Sequence, residues 1–361
     1  MIIKQIRSTD GTGSLGYIIG DEVSKTALVL DPNTEDIDLI GKEVHALGLR
    51  ITTIVDTHTH ADHVSGARKL HELTGAEVIM HEESKNKYKY VDLGDAFGIG
   101  DTLRENVKVT IDRYVHDGDK ITVGGITVNV IYAPGHTNDH VCLLADGHLF
   151  TGDVLLIGQA GRSDLPSGNI DEQYDTFFRK ILPLPDTTVI HPGHDYENRK
   201  SSTIGIEKKT NPFLAPRTLE QYREFVSEFF PPLADSDGGK MILQCGVQRV
   251  TTTNEGFTDI TPEQLRKMMA TRNDLVLIDV REPRELRMFG AIKGVINIPV
   301  GTLVRGGADL EPFKDKAIVA LCQTGSRSVE ASHYLIKKGF KNVYNLLGGT
   351  MAYLRSEPLA V

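Results

Sequence analysis

The sequence contains no tryptophan and only three cysteines, at positions 142, 245 and 322 of 361 residues. Three widely spaced cysteines cannot form the disulfide framework of a small secreted domain, so we expect free thiols in a reducing compartment. An uninterrupted apolar stretch is also missing, because charges occur early in residues 1–10 and no later run reaches the length of a membrane span. These absences predict a cytoplasmic protein that has no membrane partner.

A basic surface is missing as well. Lysine and arginine number 40 against 49 aspartate and glutamate, which gives a net charge of −9 and predicts no nucleic-acid partner. With 40% hydrophobic and 25% charged residues, the composition is that of a globular protein and excludes disordered and fibrous classes. At about 150 residues per domain, the length predicts two domains.

The pattern of the chain changes after a stretch of turn-forming residues at 231–240. Before this stretch, short β segments are punctuated by turn residues and separated by helical segments. After about residue 257, strands alternate with helices, which predicts βαβ crossovers and a mainly parallel sheet. We therefore predict an α/β protein with a first domain at 1–250, a tail to 256, and a second domain at 257–361.

A dense group of potential metal ligands follows the β segment at 51–55. Further candidates occur later, each just after a β segment and next to glycine or proline. Such side chains converge at one sheet edge, and imidazole and carboxylate groups suit first-row transition metals such as zinc and iron. The candidate residues of this predicted metal centre are His58, His60, Asp62, His63, His136, Asp153 and His194.

This H-x-H-x-D-H group with its three later residues resembles the metallo-β-lactamase superfamily. The segments 150–157, 161–164 and 194–196 are similar to the persulfide dioxygenases of that superfamily. The resemblance covers about residues 1–250 and implies an αββα sandwich that uses O₂ to oxidise glutathione persulfide to sulfite and glutathione. It also implies one Fe(II) per chain on His58, His136 and Asp153, with outer partners at His60, Asp62, His63 and His194.

The same seven side chains support a second interpretation. Two zinc ions bridged by Asp153 would resemble the hydroxyacylglutathione hydrolases, in which a metal-bound hydroxide attacks a thioester. Two histidines and one carboxylate on iron instead leave open positions for a sulfur anion and O₂. The ligand types do not choose between these sites, whereas the flanking motifs favour iron.

Arg162 and Tyr196 follow ligand-bearing segments closely and are predicted to bind substrate. An arginine can hold an anion through two hydrogen bonds, and a tyrosine hydroxyl can donate to sulfur or to a carboxylate. The alternatives are that Arg162 only stabilises its loop and that Tyr196 packs in the core.

Cys322 stands between an apolar β segment and a helical segment, in a loop that includes Gly325 and Arg327. Loop N–H groups, a helix N-terminus and a nearby arginine lower a thiol pKa and favour the nucleophilic thiolate. The alternative is a buried, inert thiol. The arrangement resembles a rhodanese domain over about 257–361, which implies a persulfide on Cys322 held by Arg327 and the loop amides.

Two residues depart from the common rhodanese pattern. Gln323 stands where many members have a basic residue, and Ala291 stands where a histidine is common. The first departure disfavours efficient use of doubly charged thiosulfate. The role of Cys245, near the end of the first predicted domain, is left open.

We therefore predict a persulfide dioxygenase fused to a sulfurtransferase that exchanges sulfane sulfur between glutathione and thiosulfate. Its partners would be small molecules, namely glutathione persulfide, O₂ and thiosulfate, and homo-oligomer formation is left open. One alternative is a dinuclear zinc thioester hydrolase with a sulfurtransferase domain. The other is a non-catalytic sulfur carrier or sensor in which Cys322 only accepts sulfur for a partner protein.

Overall fold

The computed structural model describes residues 1–8, 13–90, 100–164, 167–195, 199, 201–230, 242–244, 247–249, 256–304, 306–323 and 325–355. The chain divides into two compact units, Met1–Asp235 and Ser236–Val361. The predicted linker at 231–240 lies outside the described residues, so the predicted domain limits stay a prediction. Among the described residues, no helix is both long enough and apolar enough to cross a membrane.

The first unit contains two six-stranded sheets and a short hairpin. The first sheet runs in chain order and is antiparallel from β1 to β3 and parallel from β3 to β6. Its strands are β1 (Ile2–Arg7), β2 (Leu15–Asp21), β3 (Thr26–Leu30), β4 (Arg50–Val55), β5 (Glu77–His81) and β6 (Arg113–Val115). The second sheet and the hairpin comprise β7 (Lys120–Val123), β8 (Ile126–Tyr132), β9 (Val141–Ala145), β10 (His148–Gly152), β11 (Leu155–Leu156), β12 (Gln159–Ala160), β13 (Val189–Pro192) and β14 (Ser202–Thr203).

The second sheet has the order β14-β13-β10-β9-β8-β7, and β11 pairs with β12 in the hairpin. The helices of this unit are α1 (Ile37–Ala46), α2 (Ala67–Thr74), α3 (Gly100–Asn106), α4 (Ile170–Asp175), α5 (Ile204–Thr210) and α6 (Leu219–Phe229). Segments of 3-10 helix occupy Thr34–Asp36, Glu82–Tyr90 and Pro212–Leu214, and a π-helical segment occupies Thr176–Ile181.

The two sheets pack face to face because their strands alternate apolar side chains toward a shared core. Tyr17 and Leu28 of the first sheet belong to one buried cluster with Val128 and Phe150 of the second. The opposite face of the first sheet packs against α1 and α2 in a second cluster, which includes Ile40. Burial on both faces explains why strands such as β3 read as continuous apolar runs.

The second unit is built on a five-stranded sheet of order β17-β21-β20-β18-β19, in which every pairing is parallel. Its strands are β17 (Thr258–Ile260), β18 (Leu275–Asp279), β19 (Ile296–Asn297), β20 (Ala317–Leu321) and β21 (Val343–Leu346), and a separate antiparallel pair is β15 (Ile242–Gln244) with β16 (Val247–Arg249). The helical segments are α7 (Pro262–Thr271), α8 (Pro283–Phe289), α9 (Val300–Val304), the turn Glu311–Phe313, α10 (Ser326–Lys337) and α11 (Gly349–Arg355). The predicted mixed α/β fold with a parallel sheet in the second unit is confirmed.

Candidate metal centre and thiol site

The loops after β4, β8 and β10 bring three predicted metal ligands together. One ligand atom each from His58, His136 and Asp153 lies within 4.8 Å of the other two. The Oδ2 atom of Asp153 is 3.6 Å from Nε2 of His58 and 3.9 Å from Nε2 of His136. All three side chains are buried. Two imidazoles and one carboxylate therefore face a common point in the protein interior.

Hydrogen bonds at Nδ1 determine which nitrogen each of the two imidazoles presents. The Thr57 hydroxyl donates its single proton to Asp31 Oδ2 at 3.0 Å, so it accepts at 2.9 Å from His58 Nδ1–H. A carbonyl can only accept, so His136 Nδ1–H donates at 2.7 Å to the main-chain oxygen of Arg162. Both rings consequently present an unprotonated Nε2, which is the form that binds metal.

Two of the atoms that face this point form no hydrogen bond with the described residues. His58 Nε2 and Asp153 Oδ2 are buried without a hydrogen-bond partner among the described residues. Burial lowers the pKa of His58 well below its usual value, which keeps the ring neutral. Buried polar atoms are normally paired, so two orphaned atoms in one group fit a site for a metal ion.

His194 has both ring nitrogens directed at carboxylates. Its Nδ1 lies 2.6 Å from Asp153 Oδ1, and its Nε2 lies 2.9 Å from Asp62 Oδ2. Burial opposes a charge on the ring, but Asp153 and Asp62 raise the pKa of His194 well above its usual value. Burial likewise opposes ionisation of Asp153, whose pKa is nevertheless lowered by His194, His58 and His136. The imidazolium therefore donates two hydrogen bonds and orients Asp153.

The remaining predicted residues surround this group. His60 Nε2 lies 3.2 Å from Asp31 Oδ1, and His63 Nδ1 lies 2.9 Å from Asp62 Oδ2. Burial lowers the pKa of His60, but its hydrogen bond and charge interaction with Asp31 raise that pKa to about 10. Asp62, Asp153 and His194 also form a group within 4.8 Å. That second group shares Asp153 with the first, as the dinuclear interpretation requires.

His140 belongs to this centre, although the sequence analysis did not single it out. Its Nε2 accepts the N–H groups of Asp153 at 3.1 Å and Val154 at 3.2 Å, and its ring stacks on that of His58 at 5.0 Å. Burial lowers the pKa of His140 well below its usual value. A Cβ at Gly152, where φ is +46°, would lie 2.6 Å from His140 Nε2, so glycine permits this approach. The four-residue spacing from His136 was the available signal.

Of the two predicted substrate-binding residues, Arg162 lies within the described residues. Arg162 is buried, forms an ion pair with Asp164, and lies over the Phe230 ring at 5.0 Å from its centroid. Its guanidinium is therefore engaged by neighbouring side chains, and its substrate-binding role stays a prediction. Tyr196 and Cys245 lie outside the described residues.

The thiol site forms where β20 ends and α10 begins. Cys322 is fully buried, the Gly325 N–H donates to its Sγ at 3.1 Å, and the Ser328 hydroxyl lies 3.6 Å from the same sulfur. Gly325 has φ of +104°, a conformation that glycine adopts without strain. The predicted loop around the sulfur therefore includes a main-chain donor and a hydroxyl.

Two buried arginines beside Cys322 are paired with carboxylates. Arg327 donates to both oxygens of Glu285, at 2.7 and 2.6 Å. Arg281 is fully buried, donates to both oxygens of Asp279, and donates at 2.5 Å to Gln323 Oε1. The sequence analysis did not identify Glu285 as part of this site, because it lies 42 residues from Arg327 along the chain.

Comparison with known proteins agrees with the division into two units. A family model described as the metallo-β-lactamase superfamily matches residues 10–194, and one described as a rhodanese-like domain matches residues 261–356. The chain is similar to persulfide dioxygenase ETHE1, mitochondrial, from Homo sapiens, with 31% identity over 239 residues that cover 65% of this chain and 85% of the human protein.

Two solved structures show the same fold. The crystal structure of ETHE1 from Myxococcus xanthus matches with 31% identity and a TM-score of 0.56, over 64% of this chain and 92% of that chain. A metallo-β-lactamase from Staphylococcus aureus subsp. aureus COL matches with 22% identity and a TM-score of 0.54, over 96% of this chain and 99% of that chain. The second match supports the fold alone, over nearly the full length.

Proposed function

Because this chain belongs to the metallo-β-lactamase superfamily and carries a rhodanese-like domain, we propose that it is a persulfide dioxygenase fused to a sulfurtransferase. The proposed substrates are glutathione persulfide, O₂ and water, and the products are sulfite and glutathione. The names of the human and Myxococcus xanthus relatives support this choice. The observation that carries the proposal is the group of His58, His136 and Asp153 with its two orphaned buried atoms.

The same three residues would hold one Fe(II) per chain. When bound there, iron would supply open positions at which a sulfur anion and O₂ are brought together. His58 and His136 each direct a lone pair from Nε2 because Thr57 and the Arg162 carbonyl accept from their Nδ1–H groups. Asp153 directs Oδ2 because His194 engages its Oδ1.

In a mononuclear centre, the outer residues would orient the ligands by hydrogen bonding. His194 lies between Asp153 Oδ1 and Asp62 Oδ2 and would hold the Asp153 carboxylate in place. His60, turned toward Asp31, and His63, turned toward Asp62, would likewise orient their neighbours by hydrogen bonding.

We further propose that Cys322 transfers sulfane sulfur between thiosulfate and glutathione. Its thiolate would attack the outer sulfur of thiosulfate, forming a Cys322 persulfide while the electron pair of the broken sulfur–sulfur bond leaves with sulfite. Glutathione thiolate would then attack the outer sulfur of that persulfide and regenerate the Cys322 thiolate. The Gly325 N–H would stabilise the negative sulfur in these steps.

Metal content and oxygen consumption test the first proposal. Protein purified without oxygen is expected to contain one iron per chain and to consume O₂ when glutathione persulfide is added. His136→Ala is expected to lose iron and oxygen uptake, while His45→Ala, which alters an exposed histidine, is the matched control. Two zinc ions per chain, hydrolysis of a glutathione thioester and no oxygen uptake would replace the oxidative function with the hydrolytic one.

A further inference from the structure

His136 and the acceptor of its Nδ1–H lie in two different loops, and the first of these is fastened to the helical segment of α4. The Thr176 hydroxyl, in the π-helical segment that continues α4, donates at 2.8 Å to the Pro134 carbonyl, two residues before His136. The acceptor, the Arg162 carbonyl, lies 2.7 Å from His136 Nδ1 in the second loop. The direction of His136 Nε2 therefore depends on how both loops are held against α4.

Gln173 of α4 fastens the second loop. Its side chain is fully buried, and its Nε2 donates at 2.8 Å to the carbonyl of Gly161, the residue before Arg162. The Gly161 N–H donates at 2.9 Å to the Asp153 carbonyl. Both main-chain polar groups of Gly161 are therefore engaged, which fixes the main chain that leads to the acceptor of His136.

Tyr222 of α6 fixes the orientation of the Gln173 amide. The Tyr222 hydroxyl donates at 2.8 Å to Gln173 Oε1. The Tyr222 ring is fully buried, and burial raises the pKa of Tyr222 well above its usual value, so the hydroxyl stays protonated. Because Oε1 is engaged in this way, Nε2 faces the Gly161 carbonyl, which can only accept. These hydrogen bonds form one chain from α6 through α4 to the loop that supports His136.

We propose that Gln173 is a positioning residue for the metal centre and that Tyr222, by holding the Gln173 amide, helps to set the direction in which His136 presents Nε2. This inference rests on the proposed role of His136 as a metal ligand. Replacing a residue that orients a metal ligand typically changes metal affinity by about 10–100-fold. Loss of one neutral hydrogen bond further along the chain corresponds to about 2–10-fold.

Three variants separate these hydrogen bonds from the packing of the helices. Gln173→Met keeps a long unbranched side chain and removes both hydrogen bonds of the amide. Tyr222→Phe removes only the hydroxyl that orients the amide. Tyr174→Phe is the matched control, because the Tyr174 hydroxyl donates at 3.0 Å to the Arg217 carbonyl and so also links α4 to the segment before α6. In the described part of the chain, the Tyr174 hydroxyl forms no hydrogen bond with either loop at His136.

The experiment titrates the metal-free full chain with Fe(II) in the absence of oxygen, in competition with a chelator. The titration is repeated with Co(II), whose visible absorption spectrum changes with the geometry of its ligands. We expect Gln173→Met to lower the Fe(II) affinity by about 10–100-fold and to alter the Co(II) spectrum. Tyr222→Phe should lower the affinity by about 2–10-fold, whereas Tyr174→Phe should leave both the affinity and the spectrum unchanged.

A merely structural role of Gln173 would lower the Tm of the metal-free chain without changing the metal affinity or the Co(II) spectrum, and that result for Gln173→Met would overturn the inference. Equal losses of affinity in Tyr222→Phe and Tyr174→Phe would also overturn it, because the packing of α4 on α6 would then be responsible. If Gln173→Met fails to fold, the comparison of the two tyrosine variants decides.

His136→Ala in the same titration separates this inference from the proposed function. Unchanged metal affinity in His136→Ala refutes the ligand role of His136. Loss of affinity in His136→Ala together with wild-type affinity in Gln173→Met refutes only the positioning role of Gln173.

Discussion

Replacing His140 by phenylalanine removes the ring nitrogen that accepts from the main chain at Asp153 and Val154. Two N–H groups, of Asp153 and Val154, would lose their partner inside a fully buried site. An unsatisfied buried donor costs about 1–3 kcal/mol, so the loss of two partners should lower the free energy of unfolding by about 2–6 kcal/mol. At roughly 2–4 °C per kcal/mol for a unit of this size, the Tm should fall by roughly 4–24 °C.

The loss should extend to the metal, because the carboxylate of Asp153 is attached to the main chain that His140 holds. Residues that orient ligands typically change metal affinity by about 10–100-fold, and we expect a loss of iron affinity in this range. His140→Gln is the matched variant, since its amide oxygen can accept from the same N–H groups and should recover part of both losses. Thermal unfolding of the metal-free chain and titration with Fe(II) measure the two effects.

The reasoning would be refuted if His140→Phe kept the wild-type Tm and iron affinity. It would also fail if His140→Gln were as damaging as His140→Phe, because the acceptor would then be irrelevant and only the volume of the ring would matter. His45→Phe, at an exposed site, controls for the added aromatic ring.

Three further predictions concern Asp31, Cys322 and His191. Asp31→Asn should lower iron affinity by about 10–100-fold in an Fe(II) titration. The reason is that Asp31 accepts the Thr57 hydroxyl proton, which leaves the hydroxyl oxygen to accept from His58 Nδ1–H and so fixes the tautomer of His58. An unchanged affinity would exclude this role of Asp31. Cys322→Ser should abolish sulfur transfer to cyanide but leave oxygen uptake intact, and loss of both activities would contradict separate sites. Burial, and secondarily His148, lowers the pKa of His191 from 6.5 to about 4. Between pH 6.5 and pH 4 the unfolded state therefore binds more protons than the folded state, so the free energy of unfolding should fall as the pH drops through this range. His191→Phe should remove up to about 3 kcal/mol of that loss in denaturant titrations at pH 7 and pH 4, and an unchanged difference would contradict the assignment.

The convergence of three residues at the metal centre could be predicted from the sequence because each of them follows a strand. The ends of β4, β8 and β10 bring His58, His136 and Asp153 to one point, as their positions after apolar segments indicated. The α/β fold of the second unit was predictable for a similar reason, since buried parallel strands such as β20 alternate with helices along the chain.

The partners of these residues could not be predicted, because they lie outside the strand-end motifs and reach the two sites only through tertiary contacts. Asp31 reaches Thr57 across 26 residues, and Glu285 reaches Arg327 across 42. Neither carboxylate belongs to the residue patterns that identified the two sites. His140 was missed for another reason. It accepts from main-chain N–H groups, which every residue except proline has, so no particular residue type in the sequence indicates these contacts.

The two imidazoles that face Asp153 differ in how easily mutation can disturb them. His58 depends on the hydroxyl of Thr57, which a single codon change can delete. His136 depends on a peptide oxygen of residue 162, which every amino acid supplies. A substitution at position 162 can therefore change the side chain while the hydrogen bond from His136 persists, whereas the hydrogen bond from His58 requires a hydroxyl at position 57.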